Sequence, residues 1–145
     1  MLEQMNGMIH SLIPFTARNR YEVTAIGPGR VVSRIPMEGN GNHMGTMYAG
    51  ALFLLAEIPG GVLAMSDFGQ DYIPILRDMH MEFKAPARTD VTLEVGLSAA
   101  DVEKLKAEVL AEGKTHFQLK GELKDASGAV VALSTATYQL RKRGA

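Results

Sequence analysis

One carboxylate stands alone in the most apolar stretch of the chain. Between Thr46 and Ser66, Glu57 is the only ionisable residue apart from the Tyr48 phenol. An unpaired carboxylate on such a helix costs several kcal/mol unless it is hydrogen-bonded, protonated or faces a wet cavity. Glu57 is therefore a candidate general base or nucleophile. The structural alternative is that it lies near the exposed end of a helix broken at Pro59, or pairs with a Lys or Arg.

The start of the same apolar stretch offers hydrogen-bond donors. A Gly/Asn-rich loop, residues 39–42, leads into a predicted helix over residues 47–66. The first N–H groups of a helix have no internal acceptor and carry the positive end of the dipole, so the Ala49 and Gly50 amides could bind a developing oxyanion. Ala49 and Glu57 are separated by about 12 Å of helix. If both serve one reaction, they come from different chains.

Composition excludes several classes of protein. The chain has 145 residues, 46% apolar residues and a net charge of -1, which is typical of a single globular domain. The absence of cysteine rules out a disulfide scaffold, a thiol nucleophile and a Cys-ligated metal, and favours a reducing cytoplasm. The near-neutral charge and 6% aromatic content argue against a nucleic-acid partner. The four histidines have no metal-ligand spacing, so no metal is predicted.

No membrane partner or secretory segment is expected either. The first dozen residues mix polar and apolar positions at helical spacing and lack a continuous apolar core. Pro59, Gly60 and Gly61 interrupt the best candidate for a membrane span.

Hydrophobic periodicity predicts one domain over residues 1–145. The predicted elements are an N-terminal helix (1–14), a hairpin (21–25 and 31–37), the central helix (47–66), strands at 79–84 and 91–97, a capped helix (98–113), strands at 117–124 and 130–140, and a solvated tail (141–145). The alternating strands indicate an antiparallel sheet with one buried face. Only the central helix is apolar enough to cover that face, so the predicted class is α+β, with about six strands wrapped around one long helix.

This order resembles the hot-dog fold, and the central stretch is similar to the PaaI-type acyl-CoA thioesterases and the related DUF4442 group. The similarity covers about Tyr21 to Leu140, and its specific part is the match at five positions: Asn42, Gly45, Ala49, Gly50 and Glu57. The chain departs from the common pattern where Met44-Gly45 replaces His-Gly and Tyr48-Ala49-Gly50 replaces His-Gly-Gly. His43 lies one place early.

The resemblance implies hydrolysis of a small or medium acyl thioester of coenzyme A, with no cofactor. It implies Glu57 as base or nucleophile, backbone donation from the Ala49 position, and a homodimer with a composite site, with a tetramer as the larger alternative. We expect Asn42 to hold the water or the carbonyl and Gly50 to donate a second amide. The predicted substrate-binding residues are Gly45, His43, Tyr48 and, for the phosphates, Arg77, Lys84 and Arg88.

Two other functions stay open. Hot-dog dehydratases place a loop His fourteen residues before a helical Glu, and His43 with Glu57 has that spacing, although the Pro-rich loop of that group is missing. The fold could also serve as a non-catalytic acyl-binding module, because the usual loop His is absent.

Overall fold

The structure is a computed structural model that describes residues 1–144, so Ala145, the last residue of the predicted tail, lies outside the described residues. The elements, in chain order, are α1 (Leu2–Leu12), α2 (Pro14–Arg18), β1 (Glu22–Gly27), β2 (Arg30–Ile35), α3 (Ala49–Phe68), β3 (Tyr72–Phe83), β4 (Val91–Gly96), α4 (Ala99–Glu112), β5 (Lys114–Lys124) and β6 (Val130–Lys142).

The six strands form one antiparallel sheet in the order β1-β2-β4-β5-β6-β3. Helix α3 packs against every strand from β2 to β6. The core lies between this helix and the inner face of the sheet, and includes Leu55, Leu63, Leu93 and Leu123. The predicted α+β architecture, six strands around one long helix, is confirmed.

Helix α3 is apolar on nearly all sides because it is enclosed. It is long and apolar enough to cross a membrane, but 61% of its apolar 18-residue segment is buried inside the fold, as in the core helix of a soluble domain. The residue before it, Tyr48, is extended (φ -65°, ψ 140°), and Gly69 follows its end with a φ of 93°.

Turn and cap chemistry explains the smaller elements. The Ser98 side chain accepts a hydrogen bond from the Asp101 N–H at 3.0 Å, and Gly113 ends α4 in the left-handed region, as the sequence predicted. The Asp125 side chain accepts bonds from the N–H groups of Ser127 and Ala129, which closes the predicted turn between β5 and β6.

Several boundaries differ from the prediction; the central helix, for example, spans Ala49–Phe68 and not residues 47–66. The predicted helix over residues 1–14 is two helices: α1 ends at Leu12, and Pro14 begins α2, because proline is tolerated at the first position of a helix. Strand β3 starts at Tyr72 and includes Pro74, which an edge strand tolerates. Strand β6 continues through Arg141 and Lys142, which pair with β3 and were predicted to be a solvated tail.

Candidate active site

The Glu57 side chain lies on the one open face of α3. Between Ala51 and Ala64, only Phe53, Glu57 and Gly61 are not buried, and they are spaced four residues apart. Among residues 1–144, no cation pairs with the Glu57 carboxylate and no side chain or amide hydrogen-bonds to it. Burial raises the pKa of this carboxyl above its ordinary value. Neither structural alternative, an exposed helix end or an ion pair, describes Glu57.

The backbone that carries Glu57 is fixed by Tyr138 of strand β6. The Tyr138 hydroxyl donates a hydrogen bond of 2.6 Å to the Glu57 carbonyl. Its ring lies directly on Gly60, where an added Cβ would come within 2.1 Å of the ring. This contact sits beside Pro59, which removes one amide donor from the middle of the helix. Tyr138 and Pro59 therefore both act on the helix backbone next to Glu57.

A second buried phenol lies in the electrostatic field of Glu57. Tyr21 is 0% exposed, and its hydroxyl is 2.5 Å from the Ser33 hydroxyl. Burial raises the pKa of Tyr21; the Ser33 hydrogen bond lowers it in part, and the charge of Glu57 adds to the rise. Burial also raises the pKa of Tyr138, and Glu57 adds to it. Both phenols remain protonated near neutral pH.

The polar residues Tyr21, Ser33 and Tyr138 were not predicted as part of the site. Tyr21 directly precedes β1, Ser33 lies in β2 and Tyr138 lies in β6, and each alternates with buried apolar residues, so the sequence pattern does not distinguish them from core residues. The one signal was Gly60 next to Pro59, since a glycine inside a helix often marks the close approach of another group.

The loop before α3 is organised by Asn42. Its side-chain oxygen accepts hydrogen bonds from the N–H groups of Met44 (2.9 Å) and Thr46 (3.1 Å), and its side-chain NH₂ donates to the Thr46 hydroxyl at 2.9 Å. Gly45 has a φ of 74°, which favours glycine. Asn42 therefore holds the loop in shape, and within residues 1–144 the second N–H of its side-chain amide has no acceptor.

Two backbone hydrogen bonds fix this loop against the rest of the domain. The Tyr48 N–H donates to the Asn40 carbonyl and the Met47 N–H to the Ala87 carbonyl, both at 2.8 Å. Asn40 is itself 4% exposed, and its NH₂ group donates to the carbonyls of Asn19 and Pro36. The entrance to α3 is thus set by a buried amide that the sequence did not single out.

The first turn of α3 presents free donors. Within residues 1–144, the N–H groups of Ala49 and Gly50 have no acceptor. Tyr48 is 59% exposed, and its ring covers Gly50 so closely that an added Cβ would lie 2.5 Å from it. Two unpaired amides at the positive end of a 20-residue helix can donate hydrogen bonds to an anion.

A single chain cannot bring these amides and Glu57 to one atom. Both belong to the continuous helix α3, eight residues apart, which is about 12 Å along its axis. The structure confirms that one continuous helix contains both groups. The geometric reason to expect a site shared by two chains therefore holds.

The predicted substrate-binding residues lie in three places. His43 is exposed in the loop before α3, together with Gly45 and Tyr48. Lys84 lies three residues before Ala87, the residue that contacts that loop, and Arg88 directly follows it; Lys84 pairs with Glu82 at 3.1 Å. Arg77 is exposed at a register shift in β3. Among residues 1–144, no cluster of His, Asp and Glu could hold a metal ion.

An antiparallel sheet of six strands around one long helix is the hot-dog fold, the fold of many thioesterases. Within that class, the chain belongs to the DUF4442 family, a domain of unknown function that matches residues 3–140. No curated protein matches it.

Solved structures agree over almost the whole chain. A Pseudomonas aeruginosa protein of unknown function, described as a probable thioesterase, is 38% identical, with a TM-score of 0.88 over 97% of this chain and 95% of that one. A protein of unknown function from Chlorobaculum tepidum has a TM-score of 0.86 at 12% identity, covering 97% and 94% of the two chains. A thioesterase from Haemophilus influenzae has a TM-score of 0.78 at 15% identity, covering 100% and 93%. The last two show the fold alone.

Proposed function

We propose that this protein hydrolyses acyl thioesters of coenzyme A. The observation that carries the proposal is Glu57, a half-buried carboxylate with a raised pKa and no partner in its own chain, on the open face of a helix whose first amides are also free. The 38% identical protein described as a probable thioesterase supports the same chemistry.

In the proposed reaction, Glu57 removes a proton from a water molecule as the water oxygen attacks the thioester carbonyl carbon. The resulting oxyanion is stabilised by the Ala49 and Gly50 amides, and such a donor is worth roughly 10²–10³ in rate. The carbon–sulfur bond then breaks, Glu57 returns the proton to the leaving thiolate, and the products are a carboxylic acid and the free thiol. Direct attack by Glu57, which would give an anhydride before hydrolysis, uses the same groups.

The proposed active unit is a homodimer in which each site combines Glu57 of one chain with the helix start of the other. Strand β3 supplies the surface: it is an edge strand of 12 residues, and none of them is buried. Its residues Leu76, Met79, Met81 and Phe83 pair with inward-facing residues of β6, yet remain partly or largely exposed. A long apolar edge of this kind favours pairing with another strand.

The dimer is testable through Phe53, which is 41% exposed on the open face of α3. We expect Phe53→Glu to shift the protein from dimer to monomer in analytical ultracentrifugation and to abolish turnover. Leu110→Glu is the matched control, because Leu110 is 72% exposed on α4. A wild-type protein that is active as a monomer would contradict the shared site, and a larger species would indicate the tetramer.

We propose that the coenzyme A phosphates bind near Lys84 and Arg88, with Arg77 as a further cation. The loop residues His43, Gly45 and Tyr48 would then border the thioester. The absence of cysteine favours a reducing compartment, and we place the protein in the cytoplasm.

The direct test is thiol release from a panel of acyl-CoAs by wild-type and Glu57→Gln protein. Hydrolysis that depends on Glu57 supports the proposal. Acyl-CoA binding without turnover would favour the non-catalytic acyl-binding module. Hydration of an enoyl-CoA that is lost in His43→Ala would favour the dehydratase.

A further inference from the structure

A cavity of about 490 Å³ lies between α1, α3 and the start of β3. Met8 and Leu12 of α1 form one wall, Ile58, Gly61 and Met65 of α3 another, and Pro74 of β3 a third. This volume is within the range of small-ligand sites. The cavity was not predicted from the sequence, since its walls come from three separated segments.

The cavity continues the open face that carries Glu57. Gly61 lies one helical turn after Glu57 on the same side, and Met65 lies one turn further. At Gly61 an added Cβ would meet only the Pro74 ring, at 3.9 Å, so the glycine leaves room on the face of α3 that also carries Glu57.

The lining favours an uncharged apolar occupant. Its one charged residue is Arg143, whose Nε–H already donates to the Gln70 carbonyl at 3.0 Å. Two lining residues expose large apolar side chains to water: Leu12 is 68% and Ile13 is 44% exposed. The side chains of Met8 and Met65 are flexible and adapt to an irregular ligand.

We propose that this cavity binds the acyl chain of the substrate, which makes the preferred substrate a straight-chain aliphatic thioester. The proposal rests on the proposed function of Glu57. From Glu57 to Met65 is about 12 Å of helix. An extended chain advances roughly 1.2 Å per bond, given that three backbone bonds span about 3.5 Å. The cavity therefore fits an acyl chain of about ten carbons.

Filling the cavity at Gly61 tests the proposal. We expect Gly61→Leu to lower the ratio of kcat/KM for decanoyl-CoA to kcat/KM for butanoyl-CoA by about 250-fold, since each methylene excluded from an apolar site costs about fourfold and leucine adds four carbon atoms to glycine. Gly61→Ala adds one methyl group and should lower the ratio about fourfold. Gly7→Leu is the matched control: Gly7 is on the exposed side of α1, nothing lies within 4 Å of its added Cβ, and the ratio should not change.

The outcomes separate this proposal from the proposed function. If both thioesters are hydrolysed but Gly61→Leu leaves the ratio unchanged, the acyl chain binds elsewhere and only this inference fails. This inference alone also fails if Gly61→Leu changes only the dimerisation of the protein, because a second copy then covers the cavity. If the wild-type protein hydrolyses neither thioester, calorimetry with decanoyl-CoA still decides: binding that Gly61→Leu weakens supports the cavity, and unaltered binding overturns it.

Discussion

Replacing Glu57 with glutamine distinguishes a carboxylate that serves chemistry from one that serves structure. Removing one partner of a buried ion pair destabilises a protein by about 3–5 kcal/mol. Glu57 has no such partner among residues 1–144, so its replacement leaves no cation uncompensated. We therefore expect Glu57→Gln to be at least as stable as wild type at pH 7.5, while kcat/KM falls by about 10²–10⁴, which corresponds to about 2.7–5.5 kcal/mol.

The pH dependence of stability follows from the raised pKa of Glu57. The folded state then holds this proton more tightly than the unfolded state, so wild-type stability falls as pH rises from the ordinary glutamate pKa of about 4.3 through the raised value. The glutamine variant lacks this loss. The free energy of unfolding of Glu57→Gln should exceed that of wild type above this pH range, and the two values should converge below about pH 4.

Urea unfolding at several pH values and steady-state kinetics provide both measurements. Glu103→Gln, an acid-to-amide change on the exposed face of α4, is the control and should alter neither. A loss of more than about 1 kcal/mol in Glu57→Gln at pH 7.5 would indicate a structural carboxylate. An unchanged kcat/KM would remove Glu57 from the chemistry.

Three further predictions concern the residues around this carboxylate. Gly60→Ala places a Cβ 2.1 Å from the Tyr138 ring and should destabilise the protein by about 1–3 kcal/mol in thermal unfolding. Gly61→Ala should instead stabilise it by up to about 1 kcal/mol. Equal effects of the two substitutions would contradict the packing of Tyr138 on Gly60. Tyr138→Phe removes the donor to the Glu57 carbonyl and should lower the free energy of unfolding by about 0.5–1.5 kcal/mol. It should also lower kcat with KM unchanged, so a normal kcat would show that this hydrogen bond has no catalytic effect. Asn42→Ala leaves the loop amides without acceptors and should speed their hydrogen exchange and lower kcat/KM; unaltered exchange would refute the loop role.

Much of the fold was predictable because its signals are local. Period-two alternation located β4, β5 and β6, and the Ser98 cap with Gly113 located α4. The central helix was predictable from its apolar composition, which also implied that a sheet must enclose it. The extent of β3 and β6 was less predictable, because Pro74 and the charged residues Arg141 and Lys142 disfavour strand locally and are held there by pairing.

The candidate site was predictable only in part. Glu57 stood out because a lone carboxylate in an apolar run needs an explanation, and the Ala49 and Gly50 amides follow from the position of a helix start. Tyr138 and the cavity beside Gly61 depend on contacts between segments far apart in sequence. Asn42 was predicted to be a site residue, but its hydrogen bonds to Met44 and Thr46 are visible only in the folded loop.

Activity of a mixed dimer tests most directly whether each site is shared by two chains. Ala49→Pro deletes one amide donor at the first position of α3, where proline is tolerated and where the extended Tyr48 already has the conformation that precedes proline. Dimers that pair one Ala49→Pro chain with one Glu57→Gln chain can be purified through two different tags. The shared site predicts about half of the wild-type activity, because one site per dimer keeps both groups. Activity no higher than the mean of the two inactive homodimers would contradict it.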